Sequence, residues 1–177
     1  NAGRARVLVV VDGGASEVEV PGLTGRAVKE LLVSRDGTRL VAVVRGRRAD
    51  SVVSTRVRHD MAGGILGFTP LQKIPLPEEG STRIRDIGWR TATSISVLRA
   101  FTDDLSLVRT FSVDGSPGEI VVNGLTRLRG RVRTLVSAPV DGSEVLALGR
   151  GTVASLTRPD RIVPTMPEGL SALTYVG

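Results

Sequence analysis

VKELLVSRDGTRLVAVVR, residues Val28 to Arg45, is the stretch whose reading decides the fold. Two apolar runs, Leu31 to Val33 and Leu40 to Val44, flank Ser34-Arg35-Asp36-Gly37-Thr38. Asp-Gly readily supplies the positive φ angles of a tight turn, so the stretch reads as a β-hairpin. Leu40, Val41, Ala42, Val43 and Val44 are apolar at every position. That predicts a strand covered on both faces rather than one half in water.

The same elements extend outward from this hairpin. Before it, Arg6 to Val11, the turn Asp12-Gly13-Gly14 and Glu17 to Val20 form a shorter, half-exposed hairpin. After it come a polar turn at Gly46 to Asp50, a strand at Ser51 to Val57 and a glycine-containing loop at Arg58 to Gly64. Ile65 to Ile74 reads as an outer strand in which Pro70, having no N–H, must take an edge or a bulge. Ile84-Arg-Asp-Ile-Gly-Trp89 then repeats the spacing of Val28-Lys-Glu-Leu-Leu-Val33, with strands following at Ile95 to Leu98, Ser106 to Val113 and Glu119 to Val122. Val132-Arg-Thr-Leu-Val-Ser137 opens a third copy, continued by Glu144 to Leu148, Thr152 to Leu156 and Arg161 to Thr165. Gly22-Leu-Thr, Gly124-Leu-Thr and Gly169-Leu-Ser repeat as connections.

The copies start 56 and 48 residues apart, a spacing that suits four-stranded blades with variable loops. The expectation is therefore an all-β chain forming a partial β-propeller of about three and a half four-stranded antiparallel blades. It would be one domain over residues 1–177, with units at about 6–21, 28–76, 84–123 and 132–166 and a tail at 167–177. An incomplete ring leaves apolar surface and an open blade edge, through which the chain would self-associate. A β-sandwich, the rival architecture, would show more regular polar outward faces and no recurrence of this length.

Composition narrows the function classes. The 177 residues include 21 Gly and 9 Pro, and at 41% hydrophobic with few aromatics the core falls to Val, Leu and Ile, which favours strands. No apolar run reaches the length of a membrane span, and no signal-like segment opens the chain, so the material reads as soluble and as a piece of a longer protein. The absence of cysteine excludes disulfides, thiol chemistry and Cys-based zinc sites. The net charge of +6 is almost all arginine, with Lys29 and Lys73 the only lysines. Arginine suits bidentate contact with phosphates and carboxylates, but its excess over lysine also follows from a GC-rich genome.

No catalytic constellation emerges from the residues. His59, the single histidine, lies in Arg58-His59-Asp60 without a second His or Cys to complete a transition-metal site. The acidic pairs Asp103-Asp104 and Glu78-Glu79 lack a calcium-loop pattern, and neighbours on an extended chain point to opposite sides. The glycines of Gly22-Leu-Thr-Gly25 and Gly63-Gly64 mark turns rather than phosphate loops. Arg127, Arg129, Arg131 and Arg133 make a basic cluster that would meet acidic glycan or lipid headgroups if it is not simply a solvated face. Nucleic acid is not expected, because the stacking aromatics of single-strand binders are missing. Trp89 stands where the first copy has Val33, a packing position.

Four features together carry a family likeness: Gly22-Leu-Thr-Gly25, Val33-Ser-Arg-Asp-Gly-Thr-Arg-Leu40, Ile84-Arg-Asp-Ile-Gly-Trp89 and the ending Tyr175-Val176-Gly177. Over roughly Glu17 to Gly177 the chain resembles the C-terminal β-propeller of the actinobacterial LpqB lipoprotein family. The resemblance implies a protein held outside the cytoplasmic membrane by an upstream lipid anchor, contacting the extracellular domain of the sensor histidine kinase in an MtrAB-type two-component system. It implies no enzymatic activity, no catalytic residue and no cofactor. Since propeller loops carry function, Arg58, His59 and Asp60 in one loop and Arg99, Asp103 and Asp104 in another are the candidate partner contacts. The alternatives are an envelope hydrolase or lyase with its site at the propeller mouth, and an anion-binding module built on Arg127 to Arg133.

Overall fold

Gly37 carries the turn on which the first sheet is built. Its φ of +69° is in the left-handed region, which glycine enters without strain. Ser34 and Arg39 close the turn, with Arg39 N–H donating to Ser34 Oγ at 2.9 Å and Ser34 N–H to Arg39 O at 2.8 Å. The computed structural model describes residues 6–11, 13–76, 83–100, 106–113, 117–121, 132–137, 145–149, 153–156 and 162–163. All regular elements among them are strands. The chain divides into two compact units, Asn1–Ile74 and Pro75–Gly177.

In the first unit, β1 (Val7–Val11) and β2 (Gly14–Val18) form a two-stranded hairpin. The main sheet contains β3 (Val28–Val33), β4 (Arg39–Arg45), β5 (Asp50–His59), β6 (Ile65–Phe68) and β7 (Gln72–Ile74), all antiparallel to their neighbours. Every residue from Leu40 to Val44 is buried, as the unbroken apolar run requires. Leu40, Ala42 and Val44 pack in one cluster with Val20, Leu23, Val53, Val57 and Phe68. On the alternate positions, Val41 and Val43 are buried too, and Val43, Val52 and Ile74 stand opposite one another across β4, β5 and β7. Leu23 of the Gly-Leu-Thr connection is a core residue, 1% exposed, and Gly22 reaches it through a φ of +81°. The segment expected as one outer strand is two: β6 pairs with the end of β5 and β7 with its start, with Thr69-Pro70-Leu71 between them.

The second unit holds two four-stranded antiparallel sheets. One runs in the order β8 (Ile84–Thr91), β9 (Ser94–Ala100), β10 (Ser106–Ser112), β11 (Pro117–Val121). The other runs β12 (Thr134–Ser137), β13 (Val145–Leu148), β14 (Val153–Ser155), β15 (Ile162–Val163). Leu98 and Val108 of the former pack with Leu135, Val145 and Ala147 of the latter, and with Val132 and Leu156 just outside its strands, in one apolar cluster. Burying each of the larger side chains is worth about 1.5–3 kcal/mol.

Polar contacts fix how the first strands of these two sheets meet. The Asp86 carboxylate on β8 accepts from both Thr134 Oγ1 and Leu135 N–H on β12. Arg85 Nη1 donates to Val132 O at 2.9 Å and to Ser106 Oγ at 3.0 Å. Gly88 is where the approach is tightest, since an added Cβ would stand 2.9 Å from Ser137 Oγ and 3.5 Å from Leu135 Cβ. Ser137 Oγ and Trp89 Nε1 are buried without a hydrogen-bond partner among the described residues.

The two opening strands share an irregularity that apolar spacing alone does not reveal. Val28 pairs with Val44 and Glu30 with Val43, leaving Lys29 as the extra residue of a bulge. Ile84 pairs with Arg99 and Asp86 with Leu98, leaving Arg85 in the same place. A bulge increases local twist and re-aims the residues beside it.

Candidate functional site

The most elaborated surface of the first unit is the far end of β5. Strand β4 pairs with β5 only from Asp50 to Arg56, so Val57, Arg58 and His59 run on past it, paired with β6 alone. This overhang lies against the 34–39 turn, with Val57 N–H donating to Thr38 O at 2.8 Å. Thr69 secures its base: Thr55 Oγ1 donates to Thr69 O at 2.6 Å, and Arg56 N–H donates to Thr69 Oγ1 at 3.0 Å.

Asp36 organises the turn beneath. Its Oδ1 accepts from Ser34 Oγ at 2.6 Å, Thr38 Oγ1 at 2.8 Å and Thr38 N–H at 3.0 Å. These bonds all favour the charged form, led by that from Ser34, and hold the carboxyl down at about 2. Asp60 does the same for the hairpin tip, its Oδ1 accepting from Ala62 N–H and Gly64 N–H, each at 2.8 Å. The backbone closes the ring, with Asp60 N–H donating to Gly64 O at 2.8 Å and Gly63 N–H to Asp60 O at 3.1 Å. A Cβ at position 64 would come within 2.7 Å of Asp60 Oδ2, so the loop admits only glycine there without moving that carboxylate.

His59 joins turn and tip. Its Nε2 lies 3.1 Å from Gly37 O and its Nδ1 3.1 Å from Gly63 O. Carbonyl oxygens only accept, so satisfying both requires both ring nitrogens to carry protons, which is the imidazolium form. The pKa is raised above 6.5, first by the bond to Gly37, then by that to Gly63, with the charge of Asp60 adding to both. Around this clamp Met61 is fully exposed, Leu66 is 65% exposed, and Ile65, Arg56 and Arg58 also face solvent.

The candidate contacts therefore fare differently. Arg58, His59 and Asp60 are brought together at the hairpin tip, with His59 and Asp60 engaged in building it and Arg58 lying beside Gly67. Arg99 is corrected as a surface contact: it lies in β9, which runs two residues further than the apolar pattern indicates, and is only 8% exposed. Asp103, Asp104, Glu78 and Glu79 lie outside the described residues, as do Arg127, Arg129 and Arg131. Arg133 is described and exposed, its backbone N–H donating to Leu148 O at 2.8 Å. The apolar tip residues Met61, Ile65 and Leu66 are legible in the sequence as hydrophobic but not as exposed, because only the overhang of β5 carries them clear of the sheet.

Elsewhere in this unit, a cleft of about 510 Å³ opens beside the first hairpin, lined by Val7, Val18, Val20 and Leu23, with the exposed Arg6–Glu17 ion pair at 3.5 Å on its rim. Leu8 and Val10 of β1 are exposed. Among the described residues no three His, Asp or Glu side chains gather as metal ligands, and no helix is long and apolar enough to cross a membrane.

Comparison with known proteins assigns the sheets to a fold family. The model of the "Lipoprotein LpqB beta-propeller domain" matches residues 2–129. The match thus takes in the β1–β2 hairpin, the main sheet of the first unit and the β8–β11 sheet. "Lipoprotein LpqB" of Thermobifida fusca (strain YX) is 29% identical over 133 residues, 75% of this chain and 20% of that protein. The chain thus corresponds to about a fifth of the length of that relative. All-β sheets with repeated opening strands and a family match over most of the length lead to one assignment: this chain belongs to the LpqB β-propeller domain family.

Proposed function

We propose that this chain is a non-enzymatic recognition module of a lipid-anchored envelope protein, and that it binds the extracellular sensor domain of a two-component histidine kinase of the MtrAB type. The observation that carries the reading is the family match over residues 2–129 to a lipoprotein propeller domain. The name of the Thermobifida fusca relative, a lipoprotein, supports an envelope location. The build of the candidate site also supports recognition over catalysis: its titratable groups, Asp36, His59 and Asp60, hold backbone and hydroxyl groups of the 34–39 turn and the hairpin tip. Such groups give a surface a fixed shape, which lowers the entropy lost on binding. Regulation follows if the module binds one state of the kinase sensor better than the other, since equal binding shifts nothing.

The test is a calorimetric titration of the chain, and of the longer anchor-free protein, against the kinase's extracellular domain at low and moderate salt. Saturable binding that survives moderate salt supports the reading. No heat and no capture under either condition overturns it.

A further inference from the structure

We propose that the tip of the β5–β6 hairpin docks on an anionic lipid surface, with Met61, Ile65 and Leu66 at the acyl boundary and Arg56 and Arg58 against the headgroup phosphates. Three features of the tip carry this. The first is exposure: the apolar side chains stand open to solvent at a hairpin tip that runs past the end of β4. A protein partner would need a matching groove, whereas a lipid interface admits an apolar tip without one.

The second is charge. Arg56 and Arg58 are exposed on the strand leading to the tip, and Arg35 is exposed on the turn that His59 joins to it. The nearby acids, Asp36 and Asp60, keep their charge while bonding to Ser34 and Thr38 and to Ala62 and Gly64, and against these two carboxylates stand the three exposed arginines. Arginine matches phosphate oxygens in bidentate fashion, and its stem tolerates the apolar boundary while the guanidinium stays at the headgroups. The third is preorganisation. Asp60, Gly63 and Gly64 close the loop, and His59 ties it to the turn below, so the tip does not have to be ordered on contact. This inference is independent of the kinase reading and involves no lipid anchor.

The test is co-sedimentation of the 177-residue chain with phosphatidylglycerol–phosphatidylcholine vesicles and with pure phosphatidylcholine vesicles, over a salt series. The chain is expected to sediment with the anionic vesicles and to be released as salt rises. Arg56→Gln and Arg58→Gln each weaken partitioning about fivefold, the factor equivalent to about 1 kcal/mol per basic residue at such a surface. Met61→Asp combined with Leu66→Asp reduces it to background, and because both side chains face solvent the thermal midpoint stays at the wild-type value. The chain has no cysteine, so Met61→Cys carries a single environment-sensitive label, whose emission shifts to the blue on anionic vesicles and not on neutral ones.

Failure to sediment with anionic vesicles overturns the proposal. So does equal binding to neutral vesicles, wild-type sedimentation of the Asp double variant, or a label indifferent to lipid. Tip variants that lose capture by the sensor domain, when the wild-type chain itself does not bind vesicles, would assign the tip to a protein partner and overturn it equally. Loss of sensor binding alone leaves the vesicle result intact, so the two readings fail separately.

Discussion

Replacing Asp86 with alanine should loosen the packing of β8 on β12 and lower the stability of the second unit by about 2–3 kcal/mol. The figure follows from what the carboxylate does. It accepts one bond from the Thr134 hydroxyl and one from the Leu135 backbone N–H. Bonds to a charged acceptor are worth about 1.5–3 kcal/mol each, but Asp86 is half-buried and water recovers part of the loss. The backbone N–H is the costlier orphan, because Leu135 is 7% exposed and sits in the apolar cluster. Asp86→Asn keeps an acceptor oxygen and should lose about half as much, while Thr134→Val removes one bond and should cost about 1 kcal/mol. Asp86→Ala and Thr134→Val share a bond, so their effects should fall short of additivity by about 1 kcal/mol. For a unit of this size, about 2.5 kcal/mol lowers the melting midpoint by roughly 10–15 °C. The assay is calorimetric melting combined with hydrogen exchange at the Leu135 amide, which reports the bond directly. A midpoint within about 2 °C of wild type, or unchanged protection at Leu135, would refute the reasoning.

Other sites give sharper local tests. Gly88→Val should destabilise the second unit by about 1–3 kcal/mol, because its Cβ position already lies 2.9 Å from Ser137 Oγ; urea unfolding measures it, and adding Ser137→Ala should recover part of the loss. For His59 the sign is set by a folded pKa above 6.5: the clamp contributes fully below that value and is lost as pH rises through the raised pKa. Exchange at the Gly63 and Gly64 amides should therefore quicken across that range beyond its intrinsic pH dependence, and His59→Gln, able to donate only from one end, should flatten the profile; a profile already flat in wild type would show that the clamp does not depend on protonation. Asp36→Ala should cost about 1 kcal/mol in chemical denaturation, the carboxylate being partly exposed, and the difference from wild type should vanish on acidification towards pH 2, since a carboxyl held at about 2 contributes above its ordinary value of 3.8 and loses that contribution as pH falls through 2.

Some of this molecule is written locally and some is not. The β3–β4 hairpin is legible because Asp36-Gly37 fixes the turn and the run Leu40 to Val44 fixes the burial, both within a few residues of chain. Pro70 is legible for the same reason, since a residue without an N–H interrupts a ladder wherever it falls. The bulges at Lys29 and Arg85 are hidden, because a bulge is defined by the partner strand's register and both sequences look like uninterrupted strands. Arg99 reads as a loop residue because a charge ends the apolar pattern, yet β9 continues through it to Ala100. His59 looks like an ordinary loop histidine, and its role depends on Gly37, 22 positions away, which only the overhang of β5 brings within reach. The Asp86–Thr134 link spans 48 positions and is likewise a product of how the two sheets dock.

Pro70 has a further consequence for how the chain behaves in a crowded solution. It divides the sheet border beyond β5 into ladders of four and three residues, β6 and β7, separated by an exposed proline that cannot donate. A stray strand from another molecule would find no continuous row of N–H and C=O groups to zip along, and fibril growth needs such a row. The interruption thus acts as a guard against edge-to-edge aggregation in a chain rich in valine and without charge from Leu40 to Val44 of β4.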